Sequence, residues 1–249
     1  MRYMLRLSYS GAGFSGWQVQ DGVPTVQESL EHALGLLLGG KCAVTGAGRT
    51  DTLVSASGYV AHFDSPEPLE PEQFAYKLNA ILPRSIVVHE VRAVPDDFHA
   101  RFSAKRREYT FFLHTAKDPF LEAWSWRCTY KLDFDAMNAA AAALIGEHDF
   151  SSFEKTGSDV QNPICTVYEA LWTPVTGIPV VEDGHLWAFR IAANRFLRNM
   201  VRATVGTLVE VGRGRRAPDS IPALLAERNR SLAGESAPGH ALFLTGVDY

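Results

Sequence analysis

The chain has 249 residues, of which 46% are hydrophobic and 21% are charged, so it can bury a large core and does not have the composition of a disordered segment. Its formal net charge of -4 excludes nucleic-acid binding through overall positive charge, so any such role needs local basic patches. Three widely spaced cysteines argue against a disulfide framework or a zinc site and predict a reducing, cytoplasmic location.

No segment of the sequence indicates a membrane protein or a secretory signal. The opening stretch, MRYMLRLSYSG, is too short and too interrupted by polar residues for a signal peptide. No apolar run approaches the roughly 20 residues that a membrane-spanning helix needs. We therefore expect a protein without membrane association.

The first half of the chain alternates strand and helix patterns. The clearest helix is TVQESLEHALGLLLGG, in which Thr25 and Glu28 have capping-box spacing and Gly39 ends the apolar period. The Gly-rich loop SGAGFSGWQ precedes it. The other predicted elements are strands over residues 3–9 and 59–63, a helix over Pro71–Leu82 and a strand over Ile86–Val94.

The second half begins at the basic segment FHARFSAKRREYTFFLH. Because each half mixes strands with helices, we predict two α/β subdomains, residues 1–97 and 98–249, with a cleft between them. The predicted elements are strand Glu108–His114, helix Phe134–Ile145 with Gly146 as its C-cap, strands Cys165–Thr173 and Leu186–Ala192, a helix over NRFLRNMVRATVGTLVEVG, a short helix Ser220–Glu227 and strand Ala241–Val247.

The stretch GAGRTDTLVSASGYVAHFD places Arg49 and Asp51 among small residues just ahead of a strand. Asp51 has three interpretations. In the first, it is a turn carboxylate that hydrogen-bonds its own backbone. In the second, it forms a structural ion pair with Arg49. In the third, it is a catalytic carboxylate at the mouth of a cleft. The small neighbours favour the catalytic interpretation, since they permit close approach of a bulky ligand.

A metal site is the rival interpretation of the same region. His62 and Asp64 lie two residues apart on one face of the predicted strand. A metal site needs further ligands, and neither His89 nor His99 has a fixed spacing to this pair. A histidine packed among its strand neighbours is the better interpretation.

The late helix of the second half carries a basic face. Arg195, Arg198 and Arg202 stand at positions i, i+3 and i+7, which share one side of a helix. Apolar residues flank Arg202, which places it at the edge of the core. A partly buried arginine needs a carboxylate partner, and Asp51 is the candidate. Pairing with Arg202 would keep the Asp51 carboxylate ionised.

Two more basic segments stand near aromatic or glycine residues. Lys105, Arg106 and Arg107 precede Tyr109, which is either a core residue or a stacking partner for an unpaired base. The loop GRGRRAP adds a third basic patch. Three patches on a weakly acidic protein indicate a polyanion that touches selected surfaces only.

These residues together carry a resemblance to the tRNA pseudouridine synthase A family. The blocks that resemble it, in the family's order, are YSGAGFSGWQ, GRTD, VAHF, LNAILP, FHARFSAKRREYTF, RFLRNMVRATVGTLVEVGRG and ALFLTGVDY. A lone GRTD is weak evidence, whereas this series is strong. The resemblance implies a pseudouridine synthase fold: two α/β subdomains with mostly antiparallel sheets that meet at a central basic cleft.

The resemblance also implies a function and roles for individual residues. The function is isomerisation of uridine to pseudouridine at positions 38 to 40 of the tRNA anticodon arm, by a cytoplasmic homodimer without metal or organic cofactor. Asp51 is the implied nucleophile, assisted by Tyr109 and Arg202. The implied substrate-binding residues are Arg49, Leu242, Phe14, Gln18, Arg107 and Arg198. The alternative is a non-catalytic tRNA-binding or tRNA-folding protein on the same scaffold.

One position departs from the family pattern. After GRTD the family usually has a small residue and then glycine, whereas this chain has Thr52 and Leu53. A left-handed backbone at Leu53 would cost on the order of 1–2 kcal/mol. We therefore expect Leu53 to have a β-type conformation or to contact the RNA.

Overall fold

The structure is a computed structural model that describes residues 1–158 and 160–249, and the chain forms two compact units. The first contains Met1–Lys105 and Phe243–Tyr249, and the second contains Arg106–Leu242. The units therefore divide later than residue 97, and the last strand joins the first unit. The reason is hydrogen bonding, because the Tyr249 hydroxyl and the Lys105 N–H donate to the carbonyls of Ala100 and Asp248, each at 2.8 Å.

The first unit is built on a twisted antiparallel sheet with two helices. Strand β1 (Arg2–Tyr9) pairs antiparallel with both β3 (Ser55–Asp64) and β4 (Ile86–Val94). The short strand β2 adds to β3 through the pair Thr45 and His62. The elements in chain order are β1 (Arg2–Tyr9), α1 (Val26–Leu38), β2 (Thr45–Gly46), β3 (Ser55–Asp64), α2 (Pro71–Ile81) and β4 (Ile86–Val94).

Helix α1 begins and ends where the sequence predicts, whereas α2 begins at Pro71 as predicted and ends at Ile81, one residue early. The Thr25 side chain accepts a hydrogen bond from the Glu28 N–H, which satisfies one of the unpaired donors at the start of α1. Gly39, with φ 71°, ends α1 in the left-handed conformation that glycine adopts most easily. Helix α2 begins at Pro71, whose missing N–H is no loss in a first turn.

The second unit has a four-stranded antiparallel sheet in the order β5-β9-β8-β7, with α3 and α4 packed together. Strand β10 then leaves this unit and pairs parallel with β3. The elements of the second unit are β5 (Arg106–His114), β6 (Trp126–Arg127), α3 (Phe134–Ala142), β7 (Gly146–Asp149), β8 (Ile164–Pro174), β9 (Leu186–Ala193), α4 (Met200–Gly212) and α5 (Ile221–Glu227). The short β6 pairs parallel with β5, and β10 spans Leu242–Asp248.

Two predicted boundaries in the second unit are wrong. Gly146 is not the C-cap of α3, which ends at Ala142; it begins strand β7 instead. Helix α4 begins at Met200 and not near Asn194. Asn199 has a left-handed backbone with φ 65°, and its side-chain amide donates to the Ser236 hydroxyl at 2.6 Å, so a continuous helix cannot pass through it.

The core of each unit lies between its sheet and its helices. In the first unit Leu5 and Leu30 are fully buried, and in the second unit Phe111 and Phe189 lie opposite each other on β5 and β9 with no exposed surface. Trp172 on β8 packs on Phe189 with ring centroids 5.1 Å apart. The predicted α+β class with mostly antiparallel sheets is therefore confirmed within each unit.

Among the described residues, none of the helices combines the length and the apolar character that crossing a membrane requires.

Candidate active site

Main-chain hydrogen bonds attach the loop that carries Asp51 to the Gly-rich loop before α1. The Trp17 N–H donates to the Thr50 carbonyl at 3.1 Å, and the Leu53 N–H donates to the Phe14 carbonyl at 3.4 Å. The two bonds lie on either side of Asp51. The position of its Cα is therefore fixed by backbone contacts and does not depend on the side chains around it.

Two glycines allow the loops to approach this closely. A Cβ at Gly16 would lie 2.5 Å from the Thr50 carbonyl oxygen, and a Cβ at Gly11 would lie 2.4 Å from the Val54 carbonyl oxygen. Gly16 also has φ 95°, a conformation that residues with side chains rarely adopt. Any side chain at these positions would push the Asp51 loop away.

Aromatic side chains hold the loop that carries Asp51 through hydrogen bonds and ring stacking. The Tyr59 hydroxyl donates to the Gly48 carbonyl, and the hydroxyls of Tyr9 and Thr50 are hydrogen bonded at 2.8 Å in the interior. Trp17 stacks on Tyr59 with ring centroids 4.2 Å apart. Sequence reasoning missed this support, since buried tyrosines have no pattern that separates them from ordinary core residues.

The structure brings Arg49 and Gln18 together. The Arg49 Nε donates to Gln18 Oε1 at 2.9 Å, and the arginine is otherwise exposed to solvent. This bond fixes the direction of a planar group with five donors. Phe14 is only 8% exposed, and its carbonyl accepts the Leu53 N–H, so this implied substrate-binding residue also holds the Asp51 loop.

The expected β-type backbone at Leu53 is wrong. Leu53 has φ 67°, which lies in the left-handed region, and its side chain is 42% exposed. For a bulky residue this conformation is an outlier that costs on the order of 1–2 kcal/mol. Its neighbours enforce it through the hydrogen bonds to Phe14 and between Val54 and Asp51. The glycine usual in the family suits this backbone without strain.

In the second unit, Tyr109 and Arg107 share one face of strand β5. The Tyr109 ring is half-buried and meets Phe196 edge to face, with centroids 5.2 Å apart. The Arg107 Nη1 donates to the Asn194 carbonyl at 2.8 Å. The segment between β9 and α4 thus orients both side chains.

Arg202 is held by a segment on the surface of α4. Its Nε donates to the Ala237 carbonyl at 2.7 Å, and the Ala237 N–H donates to the Arg202 carbonyl at 3.0 Å. The side chain is half-buried. These two hydrogen bonds fix both the backbone and the guanidinium plane of Arg202, the residue of α4 to which the sequence assigns a role in the reaction.

Glycines permit the close contact between this segment and α4. A Cβ at Gly206 would lie 1.7 Å from the Glu235 carbonyl oxygen, and a Cβ at Gly234 would lie 2.8 Å from the Thr207 nitrogen. The Gly234 N–H also donates to the Thr207 hydroxyl at 2.9 Å. Gly206 lies one turn after Arg202, so the glycine controls how closely the arginine meets its partner. The sequence signal for this close contact was a glycine inside an otherwise apolar helix.

The predicted basic helix face is wrong. Arg195 and Arg198 precede α4 and are not on the helix that carries Arg202. Arg198 is exposed, and its carbonyl accepts a hydrogen bond from the Lys155 N–H at 2.9 Å. Leu242, implied as a pocket residue, is 4% exposed at the start of β10.

The rival metal site is not supported. The ring Nδ1 of His62 accepts the Ala100 N–H at 3.1 Å, and both oxygens of Asp64 bind Arg2 at 2.9 Å. Burial, with smaller contributions from Arg2 and His99, lowers the pKa of His62 to about 4. Across the described ranges, no cluster of three or more metal-ligating side chains occurs.

Comparison with known proteins agrees with the site motifs. The family model described as tRNA pseudouridine synthase matches residues 140–249. A protein named tRNA pseudouridine synthase A from Bacteroides fragilis is 46% identical, over 100% of this chain and 96% of its own length. The protein of that name from Bacillus subtilis is 42% identical, over 100% of this chain and 99% of its own length.

The chain belongs to the tRNA pseudouridine synthase A family. The family resemblance therefore extends over the whole sequence, including the first 139 residues that lie before the matched model. A crystal structure of an archaeal box H/ACA sRNP complex is also similar, with a TM-score of 0.35 and 13% identity over 83% of this chain and 44% of that one. For this family member, the roles of individual site residues remain predictions.

Replacement of Leu53 by glycine should stabilise the protein. Glycine removes the left-handed penalty of about 1–2 kcal/mol but loses about 0.5–1 kcal/mol of backbone entropy, so the free energy of unfolding should rise by roughly 0.5–1 kcal/mol. Urea unfolding of wild type and Leu53→Gly measures this. Leu36→Gly, at an exposed helical leucine, should instead destabilise by about 1 kcal/mol. Equal losses for both variants would show that Leu53 is unstrained.

Replacement of Gly206 by alanine should displace the segment that holds Arg202. The clash is with a main-chain oxygen, so we expect a loss of about 2 kcal/mol or more in the free energy of unfolding. Gly212→Ala in the same helix is the matched control. Its Cβ would meet the flexible Met137 side chain, so its cost should stay within about 1 kcal/mol. Equal stabilities in urea would mean that the contact at Gly206 is loose.

Replacement of His62 by asparagine should flatten the acid side of the stability profile. Because the folded-state pKa of about 4 lies below the ordinary 6.5, the unfolded chain binds the proton first, and stability falls as the pH drops from about 6.5 to 4. Asparagine can still accept the Ala100 N–H but does not titrate. Between pH 7 and 4, the variant should lose on the order of 3 kcal/mol less than wild type in urea unfolding, since one pKa unit corresponds to about 1.4 kcal/mol. Parallel profiles would contradict the assignment.

Proposed function

We propose that the protein is a tRNA pseudouridine synthase that isomerises uridine at positions 38 to 40 of the anticodon arm, with Asp51 as the nucleophile. The observation that carries this proposal is the Asp51 loop, whose position is set by backbone contacts to Gly11 and Gly16. A carboxylate fixed in this way is preorganised for attack, which a turn residue or a binding surface does not need. Full-length relatives named tRNA pseudouridine synthase A support the same conclusion.

The reaction needs no redox step and no added group. The bond between N1 of uracil and C1′ of the ribose breaks, the base turns, and a bond forms between C5 and C1′. The C5 proton leaves and N1 gains a proton, so product and substrate have the same atoms. Asp51 would form a covalent adduct with the sugar or the base and leave at the end, which divides one difficult displacement into two easier ones.

The other site residues serve the target nucleotide in this proposal. Arg49 fills the gap that the extruded nucleotide leaves, and its bond to Gln18 presets the guanidinium for that task. Tyr109 packs on the target base and helps to remove the C5 proton. Arg202 supplies the positive charge that keeps the nucleophile ionised. Leu242 lines the uracil pocket.

The remaining implied residues have two roles. Arg107 and Arg198 contact phosphates, and the buried position of Phe14 assigns it to shaping the loop that carries Gln18. We also propose a cytoplasmic homodimer, as the resemblance implies. No metal or organic cofactor takes part in this scheme.

Tritium release tests the proposal directly. An unmodified tRNA transcript with 5-tritiated uridine in its anticodon arm is incubated with wild type, Asp51→Asn and Asp21→Asn, without added metal. Wild type and the control Asp21→Asn, an exposed carboxylate of the same unit, should release tritium at equal rates. Asp51→Asn should be slower by at least about a thousandfold.

The same variants separate an enzyme from a non-catalytic tRNA-binding protein. Removal of a carboxylate near phosphates should leave tRNA affinity equal or improved. Tritium release by Asp51→Asn, or a large loss of its tRNA affinity, would contradict the catalytic assignment. Binding without release by wild type would favour the tRNA-binding or tRNA-folding alternative.

A further inference from the structure

An open groove of about 980 Å³ lies in the second unit, between the segment that begins α3 and the loop that follows α4. None of the residues assigned to the reaction lines it. The groove is lined by residues 131–136, Trp187 and residues 211–218. Residues 212–218 are the basic patch GRGRRAP that the proposed reaction leaves without a role.

Aromatic rings lie at this groove, exposed at Tyr130 and partly buried at Phe134 and Trp187. The guanidinium of Arg213 lies over the Tyr130 ring, 3.4 Å from its centroid, and Tyr130 is 51% exposed beside the groove. Within the groove, Phe134 and Trp187 stack with centroids 3.6 Å apart and planes at 6°. Planar surfaces of this kind, arginine planes included, are what unpaired bases stack on.

The cations of the groove differ in what they already bind. Arg216 is engaged, since its Nη2 donates to Glu210 at 2.9 Å and to the Leu232 carbonyl at 2.7 Å. In the part of the chain that the structure describes, no carboxylate lies within 4.0 Å of the charged nitrogens of Lys131, Arg213 or Arg215. Lys131 and Arg215 are exposed. These three cations are available to a polyanion.

Two carboxylates also line the groove and restrict the class of ligand that it can bind. Asp133 caps α3 by accepting the Ala136 N–H at 2.9 Å, so its charge is directed at a helix N-terminus. Asp135 is exposed in the first turn. An exposed carboxylate repels a bare phosphate but accepts a hydrogen bond from a ribose hydroxyl or a base amine. The mixture favours a nucleotide over an inorganic anion.

We infer that this groove binds an unpaired nucleotide of the bound tRNA, with its base on the Tyr130–Arg213 stack and its flanking phosphates at Lys131 and Arg215. The inference rests on the proposed function only in taking tRNA as the ligand. It adds a second contact with the RNA, away from the target uridine, that holds the substrate by shape and stacking. The groove uses ring faces and point charges, so it tolerates any base.

Tyr130 variants test the stacking contact. Filter binding measures the Kd of an unmodified tRNA transcript for wild type, Tyr130→Ala and Tyr130→Phe. Loss of the ring should weaken binding about 5- to 100-fold, whereas phenylalanine keeps the ring and should stay within twofold of wild type. Circular dichroism verifies that each variant is folded. Equal affinity of Tyr130→Ala and wild type would overturn the inference.

The double variant Lys131→Ala/Arg215→Ala tests the phosphate contacts through their salt dependence. Each lost phosphate contact should reduce the slope of log affinity against log salt by about 0.7–0.9, so the double variant should lose about 1.4–1.8. Lys117→Ala, an exposed lysine of the same unit outside the groove, is the control and should leave the slope unchanged. A wild-type slope in the double variant would overturn the inference.

These readouts are independent of catalysis. If wild type releases no tritium but the groove variants bind tRNA less tightly, the proposed reaction fails and the groove assignment stands. If wild type isomerises uridine and the groove variants bind tRNA normally, the groove assignment alone fails.

Discussion

The architecture of the site depends on contact between two main chains without side chains between them. At Gly11 and Gly16 the Gly-rich loop lies so close to the Asp51 loop that a single methyl group would collide with a carbonyl oxygen. The second unit has the same kind of close contact, where the lack of a side chain at Gly206 lets the segment that holds Arg202 pack directly against α4. Main-chain hydrogen bonds fix the backbone at Asp51 and Arg202 in these two places, and a main-chain carbonyl also accepts the Arg202 Nε–H. Such bonds connect stiff elements, so the positions resist the loosening that flexible side chains would allow.

The strain at Leu53 is a consequence of this rigidity. The hydrogen bonds on both sides of Asp51 determine the backbone path, and Leu53 has to take the left-handed conformation that the path requires. A local cost of this size is small beside the total stability of a domain, and it persists because the surrounding contacts over-determine the loop. The side chain that replaces the usual glycine is 42% exposed, so it finds room outside the packed interior.

Local signals in the sequence predicted some elements well. Helix α1 was predictable because Thr25, an unbroken apolar period and Gly39 all act within the helix itself. The start of α4 was not, since Asn199 takes its left-handed conformation together with a hydrogen bond to Ser236, which is distant in sequence. The same distinction applies to the site. Motifs predict roles for Asp51, Tyr109 and Arg202, but the contact with Ala237 and the close approach at Gly206 depend on tertiary structure that no local pattern encodes.

The path of β10 has a consequence for how the protein folds during synthesis. The first unit receives its last strand, β10, from residues 243–249, which the ribosome makes only after the entire second unit. Until then, β3 has an open edge where Ser55 and Ala56 will pair with Phe243 and Leu244. The nascent first unit is therefore incomplete while the second unit is free to fold, and the strand that follows Asp51 stays exposed to mispairing until residues 243–249 emerge.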